Sequence, residues 1–141
     1  MANKTLSGNI GSFVGIICEN KILLLKKNYS NKFWTLPGGK VEIGESILVG
    51  AQRELKEETR LNLDNLNWVL KNVCYISKEQ TIAFCYVVYL DKCDTNIVLS
   101  PNEHSDFKWF TRDDLPLEIS KYTKAKIDNM FNSEPFKLIE F

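Results

Sequence analysis

The sequence predicts an α/β fold, one sheet with helices packed on both of its faces. Three observations carry that prediction. Residues 80–90 are apolar on both alternating sides, with Ile82, Phe84, Tyr86 and Val88 on one and Ala83, Cys85, Val87 and Tyr89 on the other. A strand of that kind is central and covered on both faces. Residues 46–59 and 119–131 space their apolar side chains three and four apart, the period of a helix with one buried stripe. Finally, 141 residues suit a single domain spanning 1–141. A domain of that length buries roughly two-thirds of its unfolded surface and needs no disulfide or metal to hold a core.

The elements follow in chain order. Residues 12–18 (SFVGIIC) and 22–26 (ILLLK) are strand-length apolar runs separated by Glu19-Asn20-Lys21, which reads as a hairpin. A short extended segment, Phe33 to Leu36, leads into Pro37-Gly38-Gly39, expected as a tight loop. The helix over 46–59 places Leu48, Ala51 and Leu55 on one stripe. Residues 67–77 and 80–90 are two long strands joined by a turn at Ser77–Gln80, and 97–99 and 106–110 are candidate short strands. Asp113-Asp114-Leu115-Pro116 is a turn or helix start, and a C-terminal helix covers 119–131, with Lys121, Lys124 and Lys126 assigned to its solvated face.

Composition narrows the function. Eighteen basic and eighteen acidic residues give a formal net charge of zero, so there is no electrostatic footprint for nucleic acid or an anionic membrane. No apolar run has signal-peptide or bilayer-spanning length. Cys18, Cys74, Cys85 and Cys93 lack CxxC spacing and read as buried free thiols in a reducing cytoplasm. Zinc is not expected, since His104 is the only histidine. The glycines at 8, 11 and 15 do not fit the dinucleotide fingerprint, and no GxxxxGK[ST] occurs.

Residues 53–61, RELKEETRL, concentrate acid on one helix. With Leu48 at zero and ~100° per residue, Glu54, Glu57 and Glu58 fall at about 240°, 180° and 280°, beside the core stripe. Glu54 is then a neighbour of both others, and like charges at that spacing destabilise a helix. They also stand near its C-terminal end, where the dipole disfavours anions. Arg53 can offset only part of this. Two readings remain from these residues alone: a solvated, glutamate-rich helix end, or carboxylates awaiting divalent cations such as Mg²⁺ or Mn²⁺.

The upstream residues bear on that choice. GKVEIGESILVGAQRELKEETRL runs from Gly39 through Glu45 to Arg53-Glu54-Leu55-Lys56-Glu57-Glu58 and Leu61. It closely resembles the Nudix box, Gx5Ex7REUxEExGU, where U is bulky and aliphatic. The fixed charged and glycine matches have odds on the order of one in 10⁷ per start position. The one departure is Arg60, where the family has a glycine suited to a left-handed helix cap. The resemblance implies the Nudix fold, an α/β/α sandwich around a mixed β-sheet, and hydrolysis of a nucleoside diphosphate linked to another moiety.

By the same resemblance, Glu54, Glu57 and Glu58 are metal ligands, with the Gly38 carbonyl as a backbone ligand. Glu45 and Arg53 orient the box through a salt bridge. Glu103, ahead of Trp109-Phe110, is either a further catalytic and metal-binding carboxylate or a surface one. Glu54 or Glu103 serves as the base, while His104 reads better as structural. Lys40 is either a phosphate contact or a solvated lysine. Phe33, Trp34, Phe84 and Tyr86 are candidates for stacking on a base, against core packing for each.

The expected substrate is a small-molecule nucleotide, a triphosphate by default, for a monomer or homodimer acting without membrane or nucleic acid. The family's motifs for ADP-ribose and coenzyme A are missing, and Lys78 stands where dinucleoside-polyphosphate hydrolases have tyrosine. A nucleotide sugar, a dinucleoside polyphosphate, capped RNA, or binding by a non-catalytic sensor are the alternatives.

Overall fold

The computed structural model describes residues 8–93 and 96–141. Its strands are β1 (Asn9–Cys18), β2 (Lys21–Lys27), β3 (Trp34–Thr35), β4 (Gly38–Lys40), β5 (Val69–Ile76), β6 (Thr81–Leu90), β7 (His104–Thr111) and β8 (Lys137–Glu140). The helices are α1 (Ile47–Thr59) and α2 (Lys121–Ile127). The sheet runs β3-β2-β1-β6-β5-β8, with β4 on β1 and β7 on β2. β1 with β6 and β5 with β8 are parallel, and the other pairs antiparallel, so the sheet is mixed.

Alternation along the strands makes two cores. On one face Ile17, Ile22, Leu24, Ala83, Cys85 and Val87 pack with Ile127 of α2. On the other, Val14, Ile16, Leu23, Leu25 and Val88 pack with Leu55 of α1. The residues that made 80–90 a central strand thus face two helices, and β6 lies between β1 and β5.

The β1–β2 hairpin turns at Glu19 and Asn20, both with positive φ (49° and 62°), the signature of a two-residue turn matched to strand twist. Its pairing is brief, Ile17 with Ile22 and Cys18 with Lys21. Beyond it β2 pairs along its length with β7, while β4 takes the vacated edge of β1, with Gly38 opposite Phe13 and Lys40 opposite Gly11. The segment expected as a glycine loop is therefore a short strand. Glycine at 38, with φ +149°, is needed because a Cβ there would lie 2.4 Å from the Ser12 carbonyl oxygen.

Other departures share a cause in tertiary contact. The C-terminal helix begins two residues inside the expected span, after the Ser120 cap, which accepts a hydrogen bond from the Thr123 N–H, and ends four residues short of it at Ile127. Glu118 accepts from the Trp34 N–H, and Ile119 bridges to Trp34, holding that stretch extended. Strand β8 was not anticipated: it is four largely exposed residues at a sheet edge, fixed by pairing with β5. Residues 97–99 form no strand; Ile97 is buried and the Val98 N–H bonds to the Thr59 carbonyl. Cys74 and Cys85 are buried free thiols as expected, but Cys18 and Cys93 form a disulfide. The sequence held no cue for that pairing across 75 residues. Lys126, expected on a solvated face, is buried.

Helix α1 starts at Ser46, whose hydroxyl accepts from the Val49 N–H. It ends at Arg60, which is left-handed (φ 67°, ψ 6°) and donates its N–H to the Lys56 carbonyl at 2.9 Å. An arginine bears a penalty of about 1 kcal/mol in that conformation that glycine does not. Arg60→Gly is expected to raise the melting temperature by roughly 2–4 °C, read by thermal unfolding. An unchanged or lower midpoint would count against strain at this cap.

Candidate functional site

Helix α1 lies against β4 closely enough that glycine is required between them. A Cβ on Gly39 would stand 2.8 Å from the Glu54 carboxyl carbon, and one on Gly50 would stand 3.0 Å from Glu45 Oε1. With no side chain at 39, the Glu54 carboxylate lies directly over the strand. The Gly38 N–H donates to Glu58 Oε1 at 2.7 Å, joining the last turn of α1 to β4.

Arg53 organises the acids. Its Nε and Nη2 donate to the two oxygens of Glu45, both at 2.9 Å, in a two-pronged pair. Nη2 also donates to the Lys40 carbonyl at 3.1 Å, while Nη1 reaches Glu54 Oε1 at 3.0 Å and Glu57 Oε2 at 3.2 Å. The Glu45–Arg53 bridge expected from the sequence is present. One guanidinium thus hydrogen-bonds to three carboxylates and a backbone carbonyl, with a fourth carboxylate, Glu42, 3.6 Å from Nη1.

The glutamates differ in charge state as a result. Hydrogen bonds from Arg53, helped by the Glu42 N–H, hold Glu45 down to about 2. Glu54 is shifted up, mainly by burial, against the pull of Arg53. Glu58, 5% exposed, is pushed up to about 9 by burial, which outweighs the Gly38 hydrogen bond and is reinforced by Glu54, Glu103 and Glu57. Glu57 is exposed at the rim.

A second segment completes the cluster. The Val98 N–H and the Ser100 hydroxyl donate to the carbonyls of Thr59 and Glu57, satisfying the open end of α1. The chain then passes to Glu103, whose carbonyl accepts from the Asn28 N–H, and enters β7 at His104. Glu58, Glu103 and His104 offer ligand atoms all within 4.8 Å of one another. His104 Nε2 lies 3.9 Å from Glu58 Oε2, but burial and Lys27 shift the imidazole down while Glu58 is shifted up. Both are neutral near pH 7, so this approach is not an ion pair. Oxygen donors predominate in the cluster, which suits a hard divalent cation, and the buried acids lack enough basic partners to ionise together.

The cluster opens on a cleft of about 500 Å³ whose lining includes Gly38, Gly39, Lys40, Glu58 and His104. The four aromatic residues proposed from the sequence lie outside this lining. Trp34 is buried with its ring edge-on to Phe110 at 5.0 Å. Tyr86 meets Trp68 edge-on at 6.1 Å, while Phe33 and Phe84 are half-buried elsewhere. The rings that do line the cleft, Phe13, Tyr29 and Tyr122, were missed, together with Lys126. Phe13 sits in an apolar run with nothing to distinguish it. Tyr122 and Lys126, one helical turn apart, were the available signal.

Residues 9–130 match the family model described as NUDIX domain. The chain belongs to the Nudix family. It is 31% identical over 105 residues to an NAD-capped RNA hydrolase NudC of Salmonella schwarzengrund (strain CVM19633), covering 74% of this chain and 39% of that protein. The chain thus spans about two-fifths of the length of such curated relatives. A crystal structure of a MutT NUDIX hydrolase from Burkholderia pseudomallei superposes with a TM-score of 0.75 at 25% identity, over 87% of this chain and 98% of that one. A NUDIX hydrolase from Nitrosomonas europaea shares the fold with a TM-score of 0.82 at 20% identity, over 98% and 81%. The α/β/α arrangement expected from the Nudix box is therefore the observed one.

The charge states make a prediction about the metal-free protein. Glu58 holds a proton in the fold that an unfolded glutamate releases near 4.5, so between pH 4.5 and about 9 the native state binds more protons. Stability must then fall as pH rises across that window, whereas Glu45, ionised in both states there, contributes no slope. Denaturant unfolding in chelator is expected to show the decline, and Glu58→Gln to flatten it. A Glu58→Gln profile as steep as the wild type's would refute the assignment.

Proposed function

We propose that this Nudix domain is a divalent-metal-dependent hydrolase that cleaves the pyrophosphate linkage of a nucleoside triphosphate or another nucleoside diphosphate derivative. The observation that carries the reading is the gathering of Glu54 and Glu103 about Glu58, which lines the cleft, while Arg53 is already engaged by Glu45. Carboxylates so placed fit Mg²⁺ or Mn²⁺ bound by oxygen, with coordination positions left for water and phosphate.

Glu54, Glu57 and Glu58 would hold the metal together with the Gly38 carbonyl and Glu103. When bound, the ion supplies charge neutralisation on the phosphate oxygens and acidifies the attacking water. Glu54 or Glu103 takes the proton of that water. Arg53 and Glu45 position these groups by fixing the first turns of α1 against the Lys40 carbonyl. Lys40, exposed beside the cleft, is placed for a phosphate oxygen. Phe33, Trp34, Phe84 and Tyr86 are not retained as base-stacking residues, because all four stand outside the cleft lining.

The substrate is a small-molecule nucleotide, without membrane or nucleic acid, and the acting species is a monomer or homodimer. Among the described residues no helix is long and apolar enough to cross a membrane. The Cys18–Cys93 disulfide removes two of the thiols on which a cytoplasmic location was argued. Retention of every box carboxylate favours turnover over a sensor that binds without cleaving.

Incubation with Mg²⁺ and a panel of nucleoside triphosphates, NAD, ADP-ribose, nucleotide sugars and dinucleoside polyphosphates, with product analysis, tests the reading. Cleavage at a pyrophosphate linkage is the expected outcome, and an inert panel would sink it. Glu57→Gln and Glu58→Gln are each expected to lower kcat on the order of 10²-fold or more with the fold retained. Glutamine at 58 can still accept the Gly38 N–H, so near-normal turnover would refute the ligand role.

A further inference from the structure

Lys126 has no part in that mechanism. It is 8% exposed, yet it lines the cleft from α2. Its Nζ stands 4.3 Å from the centroid of the Phe13 ring. Among the described residues no carboxylate pairs with it, although Glu58 and Glu79 share the cleft. Its main chain is fixed: the Lys126 carbonyl accepts from Asn72 Nδ2 at 2.7 Å, and that amide also donates to Asn129 at 2.9 Å. The contact that its ammonium makes is with the Phe13 ring face, which offers less than a charge pair would and leaves its N–H donors for an acceptor in the cleft.

The surroundings indicate which acceptor. Phe13 and Tyr122 give the same cleft flat apolar walls. Phe13 also abuts β4, since a Cβ on Gly38 would lie 2.5 Å from its Cδ1. Phe13 is therefore a neighbour both of the Lys126 ammonium and of β4, whose Gly38 N–H holds Glu58. A ligand with its phosphates at the carboxylates would carry its base toward Lys126.

We propose that Lys126 reads the nucleobase, donating to O6 and N7 of a 6-oxopurine, so that guanine and hypoxanthine nucleotides are preferred over adenine nucleotides. Lysine is a donor only, and guanine offers two acceptors on that edge. Adenine turns an amino group toward the same ammonium, leaving donor against donor. The inference rests on the nucleotide-hydrolase reading above.

The test is kcat/KM for GTP, ITP and ATP with Mg²⁺, together with dissociation constants for GTP and ATP by calorimetry in chelator, for wild type, Lys126→Met and Lys126→Arg. Wild type is expected to favour GTP and ITP over ATP by about tenfold or more in both readouts. Lys126→Met should abolish that preference, chiefly by raising KM for GTP and ITP, while its melting temperature holds or rises because an uncompensated cation is gone. Lys126→Arg should keep the order of bases. A wild type that favours ATP would overturn the proposal. So would equal losses for all three nucleotides in Lys126→Met, the result expected if the ammonium meets a phosphate. If the wild type hydrolyses none of them, triphosphates are not its substrates, the wider panel decides the hydrolase reading, and the two dissociation constants still decide for or against Lys126.

Discussion

The site depends on how one guanidinium is spent. Arg53 commits two donors to Glu45 and a contact to the Lys40 carbonyl, and these tie α1 to the loop before it and to β4. What remains for Glu54 and Glu57 comes from a single nitrogen, Nη1. The arginine can therefore fix the helix in place without neutralising the acids that the helix presents. Had the guanidinium faced Glu58 instead, that carboxyl would ionise readily. Lysine could not take over, since a single ammonium lacks the fork that grips both oxygens of Glu45 while a third nitrogen reaches further along the helix.

The same economy governs the backbone. β1 can serve both β2 and β4 on one edge only because β2 leaves it after two residue pairs. That divergence makes room for β4, and β4 brings an N–H to Glu58 and a side-chain-free surface to Glu54. The segment between Ile97 and Glu103 closes the arrangement from the other side. It uses the carbonyls at the end of α1, which a helix terminus must satisfy somehow, to draw Glu103 beside Glu58. Positive φ at Arg60 is part of that ending, since it turns the chain away after the Lys56 carbonyl is capped.

Features written in local period were legible beforehand: the two-faced strand β6, the hairpin, and α1 to within a residue; the Glu45–Arg53 bridge was legible only through the resemblance to the Nudix box. Features set by distant contact were not. Gly38-Gly39-Lys40 is too short for a strand period and becomes β4 only because an edge of β1 is free. β8 exists through its pairing with β5, and the 18–93 disulfide links positions with no shared local pattern. The aromatic residues show the limit most clearly. Trp34 and Tyr86 could be placed in strands but not on a face relative to the cleft, and both went to the cores. Phe13 went to the cleft because its strand neighbour across β4 is a glycine.

Lys126 and Glu58 together describe the occupant better than either does alone. Both are buried and line one cleft, and among the described residues no ion pair joins them. An ion pair between them would have drawn the proton from Glu58, whereas the Lys126 ammonium lies over the Phe13 ring. Glu58 meets the cost of burial by taking up a proton, an escape open to an acid at neutral pH. On the function proposed above, the two suit a ligand with unlike ends: a metal-bound anion at the glutamates, and a neutral, acceptor-bearing ring at the lysine. A bare polyphosphate would satisfy only the first end. A nucleotide would meet both, with the Phe13 ring in the cleft as a surface for its base.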